Sequence, residues 1–198
     1  MNAPEEILER FAAARAAIER AEAPPDIFTL FDRAAARYAD RTLWAPADPP
    51  TGAPAETLTY RAFAERVRHA AGVLEGLGVG PGTHVALMLP NVPAFAAIWM
   101  ALARAGAVLV AVNTRFTARE LAFVLQAGDA ELLVIDRRFL PVLAEIPASS
   151  LPLPPARIVV HGVAAPGYGA EWNARAAVAA PTPPSSTASS APISSAAR

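Results

Sequence analysis

The sequence predicts an α/β protein with a mainly parallel sheet and helices on both faces of that sheet. Between residues 58 and 160, apolar runs of strand length alternate with stretches of helical periodicity. One run, over residues 107–112, is continuously apolar, as expected for a parallel strand covered on both faces. Hydrophobic residues make up 54% of the 198-residue chain, which is enough to fill the core of an ordinary domain.

Two helices are predicted before the alternating region. The first begins near Pro4 and is amphipathic, because its apolar residues recur at near-helical spacing: Ile7, Phe11, Ala14 and Ile18. The second ends before Asp40 and has a shorter apolar face: Phe28, Phe31, Ala35 and Tyr38. A short strand at Leu43 and Trp44 is expected next, followed by a proline-rich loop over residues 46–55.

The first two helices of the alternating region have clear start and stop residues. Thr59 is expected to cap a helix whose end is marked by Gly76 and Gly78. Pro93 opens the next helix, and Gly106 stops it.

A Thr-x-x-Glu capping box identifies the start of a further helix. Thr117 and Glu120 form this box, and Gly128 lies at the expected helix end. Strands are predicted at residues 84–89, 107–112, 131–135 and 157–160, with a short helix near residues 139–143. Strands that alternate with helices favour a parallel sheet with right-handed crossovers.

Composition argues against several classes of function. Seventeen basic and eighteen acidic residues leave a formal charge of -1, so we expect no nucleic-acid partner. Without cysteine there is no disulfide, thiolate metal site or cysteine nucleophile, in keeping with a cytoplasmic protein. Every basic residue is arginine, so the chain itself supplies no lysine ammonium to any mechanism.

Two patterns resemble functional motifs but favour ordinary structure. Gly78, Gly80 and Gly82 precede a strand, whereas a phosphate loop follows a strand and opens a helix, so we predict a turn. Residues 92–112 are long enough to suggest a membrane span, but Arg104 lies within the segment and Pro93 and Gly106 interrupt it. We expect a buried helix and a buried strand there, with no stable membrane span.

The titratable residues give no metal or catalytic pattern. The three histidines, at positions 69, 84 and 161, lie on different predicted elements without paired-ligand spacing. No serine precedes Ser149, which argues against a nucleophile elbow in the α/β region. Asp129 and Asp136 flank one strand, and Asp136 is better placed because parallel sheets bind ligands at the carboxyl ends of strands. A solvated loop aspartate is nevertheless the favoured interpretation.

Three segments are predicted: an amino-terminal helix over residues 1–26, an α/β subdomain over 27–162 and a disordered tail over 163–198. The tail is rich in proline, serine and alanine and carries one charge between residues 181 and 198. The change of character near Val163 suggests a truncated or frame-shifted coding region, and an authentic short variant is the alternative.

The ordered set of motifs resembles the opening of the adenylate-forming acyl-CoA synthetases, the AMP-binding superfamily. The first matching segments lie at residues 58–63, 77–82 and 85–91, with sequences LTYRAF, LGVGPG and VALMLPN. Four more follow in family order at residues 103–108, 112–115, 120–121 and 133–136, with sequences ARAGAV, VNTR, EL and LVID. The resemblance runs from about residue 28 to residue 162.

The resemblance implies an acid–thiol ligase that uses ATP, magnesium and coenzyme A to convert a carboxylate to an acyl-adenylate and then to a thioester, as in fatty acid metabolism. In that family a Ser/Thr/Gly-rich loop ending in Pro-Lys holds the phosphates, an acidic residue helps to hold magnesium, and a later lysine stabilises charge. None of these has a counterpart in this sequence. We therefore expect a truncated, inactive fragment with no catalytic, cofactor-binding or metal residue and no cofactor of its own.

A noncatalytic interaction module derived from the same fold is the alternative. A partial sheet exposes apolar surface, and such surface favours self-association. The resemblance identifies neither the acyl substrate nor the oligomeric state.

Overall fold

The structure, a computed structural model, describes residues 3–20, 24–45, 56–162 and 170–172. It contains an α/β body with the predicted alternation of elements. Six α-helices are described: α1 (Ala3–Arg20), α2 (Ile27–Arg37), α3 (Tyr60–Gly76), α4 (Pro93–Ala105), α5 (Ala118–Ala127) and α6 (Leu140–Ala144). The described strands are β1 (Thr42–Trp44), β2 (Leu58–Thr59), β3 (His84–Met88), β4 (Val108–Ala111), β5 (Leu132–Asp136), β6 (Ile158–His161) and β7 (Ala170–Glu171).

Local sequence signals determine where these helices begin. The Thr59 side chain accepts a hydrogen bond from the backbone N–H of Ala62 at the start of α3. At the start of α5 the predicted capping box is present, with Thr117 and Glu120 each satisfying a backbone N–H of the other. Gly106 ends α4 in the left-handed conformation, with φ of 67°. The predicted helix boundaries are confirmed at these positions.

The main sheet has five parallel strands in the order β4-β3-β5-β6-β7. The interior strand β3 pairs with β4 on one side and with β5 on the other, so that Ala86 lies opposite both Val110 and Leu133. Separately, β1 and β2 form a two-stranded antiparallel sheet. The predicted mainly parallel α/β sheet is confirmed.

The core consists of two apolar layers, one on each face of the sheet. Alternate strand residues such as Val134 and Val159 pack with α2, α3 and α4. Their neighbours Leu133 and Ile158 pack with α5 and α6 on the opposite face. Because side chains alternate along each strand, both faces of β3, β5 and β6 are covered, as their nearly continuous apolar runs require.

The prediction of a strand within residues 107–112 is confirmed, but the prediction that this strand is covered on both faces is wrong. β4 lies at the edge of the sheet, and Val108 is 41% exposed. An apolar run does not distinguish an edge strand from a central strand, because the strands that pair with it are determined by the tertiary fold.

The prediction that the chain is unpacked beyond Val163 is wrong for residues 170–172. β7 pairs with β6, placing Ala170 opposite Val159, and Trp172 is buried in the apolar layer beneath α3 and α4. The other residues of the predicted tail lie outside the described residues, as does the whole of the predicted proline-rich loop. The boundaries of the three predicted segments stay predictions.

Helix α1 confirms the predicted opening helix. Its apolar face is largely exposed. Ile7 and Phe11 are 52% and 70% exposed. None of the helices in the described residues is long and apolar enough to cross a membrane. The segment that suggested a span contains the 13-residue helix α4 followed by β4.

Candidate functional site

The carboxyl edge of the main sheet is the candidate functional site. The chain leaves β3 for β4 on one side and then returns past β3 to β5, so the direction of strand addition reverses at β3. In open parallel α/β sheets, ligands bind outside the carboxyl ends of the strands at such a reversal. The segments that follow β3, β4, β5 and β6 all reach this edge.

A crevice of about 510 Å³ lies at the carboxyl ends of β3 and β4. It combines apolar walls with exposed amide and hydroxyl groups, and its lining residues are Leu89, Pro90, Asn91, Phe95, Ala111, Val112, Asn113 and Thr114. The Asn113 Oδ1 atom accepts a hydrogen bond of 2.9 Å from the backbone N–H of Arg115. This bond is local to the turn that follows β4.

A charged cluster occupies the ends of the neighbouring strands β5 and β6. Asp136, the last residue of β5, is only 6% exposed. Arg138 donates to both of its carboxylate oxygens, from Nε to Oδ1 at 2.9 Å and from a terminal guanidinium nitrogen to Oδ2 at 3.1 Å. The backbone N–H of Arg138 also donates to Oδ1, at 3.0 Å. The buried carboxylate is thus satisfied by one residue two positions along the chain.

His161 lies beside this pair because the strand register places it there. Asp136 and His161 are paired residues at the carboxyl ends of β5 and β6. The His161 Nδ1 atom lies 3.7 Å from Asp136 Oδ2, within ion-pair range but beyond a hydrogen bond. This nitrogen is buried and makes no hydrogen bond within the described part of the chain.

The cluster shifts the pKa values of both groups. Burial acts to raise the pKa of Asp136, but hydrogen bonds from the side chain and backbone of Arg138 outweigh it and hold that pKa below its ordinary value. Burial lowers the pKa of His161 below 6.5, while the negative charge of Asp136 opposes this change. Near neutral pH the site therefore contains a carboxylate, a guanidinium and a neutral imidazole.

Asp136 is not the solvated loop aspartate that the sequence favoured. The sequence placed it correctly at a carboxyl end, but only the sheet brings β6 and His161 beside it. Asp129 lies before β5, is exposed, and has a positive φ of 46° in the turn that follows α5.

The other predicted features lie away from this cluster. Gly78, Gly80 and Gly82 form a turn at the amino end of β3, where Gly82 donates to the carbonyl of Gly106 at 2.9 Å, so the predicted turn is confirmed. His69 is exposed, and the His84 Nδ1 atom lies 2.7 Å from the carbonyl oxygen of Gly128.

Sequence reasoning did not predict Arg138 and His161 as partners of Asp136. The available signal was positional, since Asp136 and His161 each directly follow a predicted apolar strand. In the described residues, no group of three or more histidine or acidic side chains is placed to hold a metal ion. The absence of catalytic and cofactor-binding residues stays a prediction.

Most of the chain matches a known family model. Residues 31–192 match the model described as AMP-binding enzyme. The match extends beyond residue 162, where the sequence resemblance was predicted to end, and includes the segment that suggested a change of reading frame. Crotonobetaine/carnitine–CoA ligase of Salmonella paratyphi A is 36% identical over 89 residues, which cover 45% of this chain and 17% of that ligase.

Solved ligase structures share the fold. The anthranilate CoA ligase AuaEII, in complex with anthranoyl-AMP, matches with a TM-score of 0.67 and 25% identity over 80% of this chain and 29% of that one. A benzoate CoA ligase from Burkholderia xenovorans LB400 matches with a TM-score of 0.64 and 20% identity over 83% of this chain and 30% of that one. The chain thus spans less than a third of these ligases.

Proposed function

Because the chain belongs to the AMP-binding enzyme family, we propose that its α/β body is the amino-terminal scaffold of a ligase that activates a carboxylate with ATP. The observation that carries this proposal is the family match over residues 31–192, and the parallel sheet shared with acyl- and aryl-CoA ligases supports it. The reaction proposed for the whole ligase is formation of an acyl-adenylate, followed by transfer of the acyl group to coenzyme A.

We also propose that these 198 residues do not perform the reaction by themselves. Adenylation concentrates negative charge on the phosphates and on the carboxylate oxygen that attacks, so it requires cationic groups and a metal ion at those atoms. The chain contains no lysine, and the sequence after β6 carries no Ser/Thr/Gly-rich loop ending in Pro-Lys. At the carboxyl edge, the Arg138 guanidinium is already bound to Asp136.

The described residues contribute positioning instead. The sheet brings the turns after β3, β4, β5 and β6 to one edge, and Asp136 with Arg138 holds the turn after β5. A rigid edge of this kind orients the groups attached to it, which is how a scaffold contributes to catalysis without touching the reacting atoms. ATP, magnesium, coenzyme A and a carboxylate are proposed as ligands of the whole ligase, and the absence of cysteine supports a cytoplasmic location.

Pyrophosphate release from the purified chain tests this proposal. The assay combines the folded 198-residue chain with ATP, magnesium and a panel of aliphatic and aromatic carboxylates. We expect no carboxylate-dependent pyrophosphate above the blank, because losing even one electrostatic contact to the transition state costs about 10²- to 10³-fold in rate. Circular dichroism of the same sample verifies that the chain is folded.

A complete acyl-CoA ligase assayed in parallel serves as the positive control. The matched negative control is Leu87→Asp, which places a charge in the centre of the sheet and unfolds the body. Carboxylate-dependent release by the wild-type chain that is absent from Leu87→Asp, prepared identically, would contradict the proposed lack of activity.

Exposed apolar side chains favour the interaction module as a second candidate. Ile7, Leu8 and Phe11 on α1 and Phe123 on α5 are each more than half exposed. Light scattering over a range of concentrations separates the two candidates, since a monomer at all concentrations counts against self-association.

A further inference from the structure

Asp136 and the neutral His161 ring lie close together without forming a hydrogen bond. The strands fix the two residues at paired positions, and the gap of 3.7 Å from Nδ1 to Oδ2 is too long for a hydrogen bond in either neutral tautomer. A buried ring nitrogen without a partner costs free energy, so the contact is incomplete while the ring is neutral.

We propose that Asp136 and His161 form a proton-operated clasp between the carboxyl ends of β5 and β6. When His161 takes up a proton from solvent, both ring nitrogens carry hydrogen, and Nδ1–H becomes a cationic donor facing Oδ2. A charge-assisted hydrogen bond of this type has a length of about 2.8 Å. Protonation therefore draws the two strand ends together.

Arg138 does not have to leave for the clasp to close. A carboxylate accepts about four hydrogen bonds, and in the structure Asp136 accepts three, all from Arg138. One acceptor position remains for the imidazolium. Arg138 is 59% exposed in its side chain, so solvent screens much of its repulsion with a charged His161.

Other charged residues lie near the strand ends. Arg137 packs the carbon atoms of its side chain against Gly162. On α3, which covers the same face of the sheet, Arg61 and Arg66 are paired with Asp40 and Glu56. Asp136 and Arg138 are therefore the charges that act on His161.

The clasp lies where the chain leaves the sheet. Gly162 follows His161 directly and has a backbone φ of 115°, which residues other than glycine rarely adopt. Closing the clasp fixes the residue from which the next segment departs, at the edge where sheets of this topology bind ligands. The inference goes beyond the proposed function, because it concerns how the ends of β5 and β6 are held and does not depend on the ligase reaction.

Nuclear magnetic resonance of the histidine ring nitrogens in the full 198-residue chain tests the clasp. As pH falls through the titration of His161, we expect a downfield Nδ1–H proton resonance that exchanges slowly with water, because the proton is buried and hydrogen-bonded. His161→Gln identifies the resonance by its loss. The exposed His69 serves as the internal control and should show no protected ring proton.

Two variants make the test decisive. Asp136→Asn removes the negative charge, so the resonance should vanish and the His161 titration should move to lower pH. Arg138→Gln removes an opposing positive charge and should move the same titration to higher pH. Absence of the protected Nδ1–H in the wild-type chain would overturn the clasp. So would an unchanged or higher titration midpoint in Asp136→Asn, or a lower midpoint in Arg138→Gln.

Discussion

The two edges of the parallel sheet are stabilised by different kinds of interaction. At the amino edge, hydrogen bonds to backbone carbonyls hold the strand ends: Val108 donates to the carbonyl of Thr83 and Glu131 to that of His84, both at 2.8 Å, and the Arg157 side chain donates to the carbonyl of Glu131 at 2.7 Å. At the carboxyl edge, ionisable side chains hold the strand ends, through the bonds of Arg138 to Asp136 and the open contact to His161.

Because the two edges are held by different interactions, substitutions at each edge should change the stability of the protein in different ways. Hydrogen bonds to backbone carbonyls depend on close approach of the chain, so the amino edge should be sensitive to steric change. Ionisable groups exchange protons, so the stability of the carboxyl edge should depend more on pH and less on the size of the side chains. Variants at each edge test this division, beginning with the largest expected effect.

Gly128→Ala should give the largest loss of stability. Gly128 has a negative φ, but a Cβ built there lies 2.9 Å from Val110 Cγ1 and from the carbonyl oxygen of Val124. Overpacking of this kind costs about 1–3 kcal/mol of unfolding free energy, measured by urea denaturation. The matched control is Gly76→Ala in α3, where nothing lies within 4 Å of the new Cβ and we expect a gain of about 0.5–1 kcal/mol. Equal effects of the two changes would contradict the steric explanation.

Arg157→Met should produce a smaller loss at the same edge. Arg157 donates to the carbonyl of Glu131 at 2.7 Å and to that of Leu77, at the end of α3, at 2.8 Å. Methionine keeps much of the apolar stem but removes both bonds, and we expect a loss of about 1.5 kcal/mol. Arg119→Met, on the exposed surface of α5, is the control and should change stability by less than about 0.5 kcal/mol. If Arg157→Met is as neutral as this control, side chains do not contribute to the amino edge.

His161→Gln should have the smallest effect, and only on the pH dependence. The unfolded chain protonates histidine near pH 6.5, whereas burial lowers the pKa of folded His161. The neutral form of His161 thus contributes stability that is complete above pH 6.5 and is lost as the pH falls through the lowered pKa. Denaturant titrations at about pH 7.5 and about pH 5.5 should show a smaller acid-induced loss in His161→Gln than in the wild-type chain. His69→Gln, at an exposed histidine, is the matched control, and an equal reduction in that variant would contradict the assignment to His161.

Much of the fold was predictable because its signals are local. The capping box at Thr117 and Glu120, the cap at Thr59 and the left-handed Gly106 each depend on residues within one helical turn, and all three are confirmed. Gly128 was predicted only as a helix end. Its requirement for glycine comes partly from the carbonyl oxygen of Val124 in the same helix and partly from Val110 on β4, which no local pattern reveals.

The sequence by itself determined the order of helices and strands, the parallel sheet and, through its ordered motifs, the AMP-binding family. It also determined that the chain supplies no lysine or cysteine to any reaction. Only the tertiary structure decided that β4 lies at the sheet edge, that Trp172 returns to the core, and that Asp136 is buried beside His161. The physical reason is that periodicity and capping act within a few residues, whereas burial and strand register depend on contacts between segments far apart in the chain.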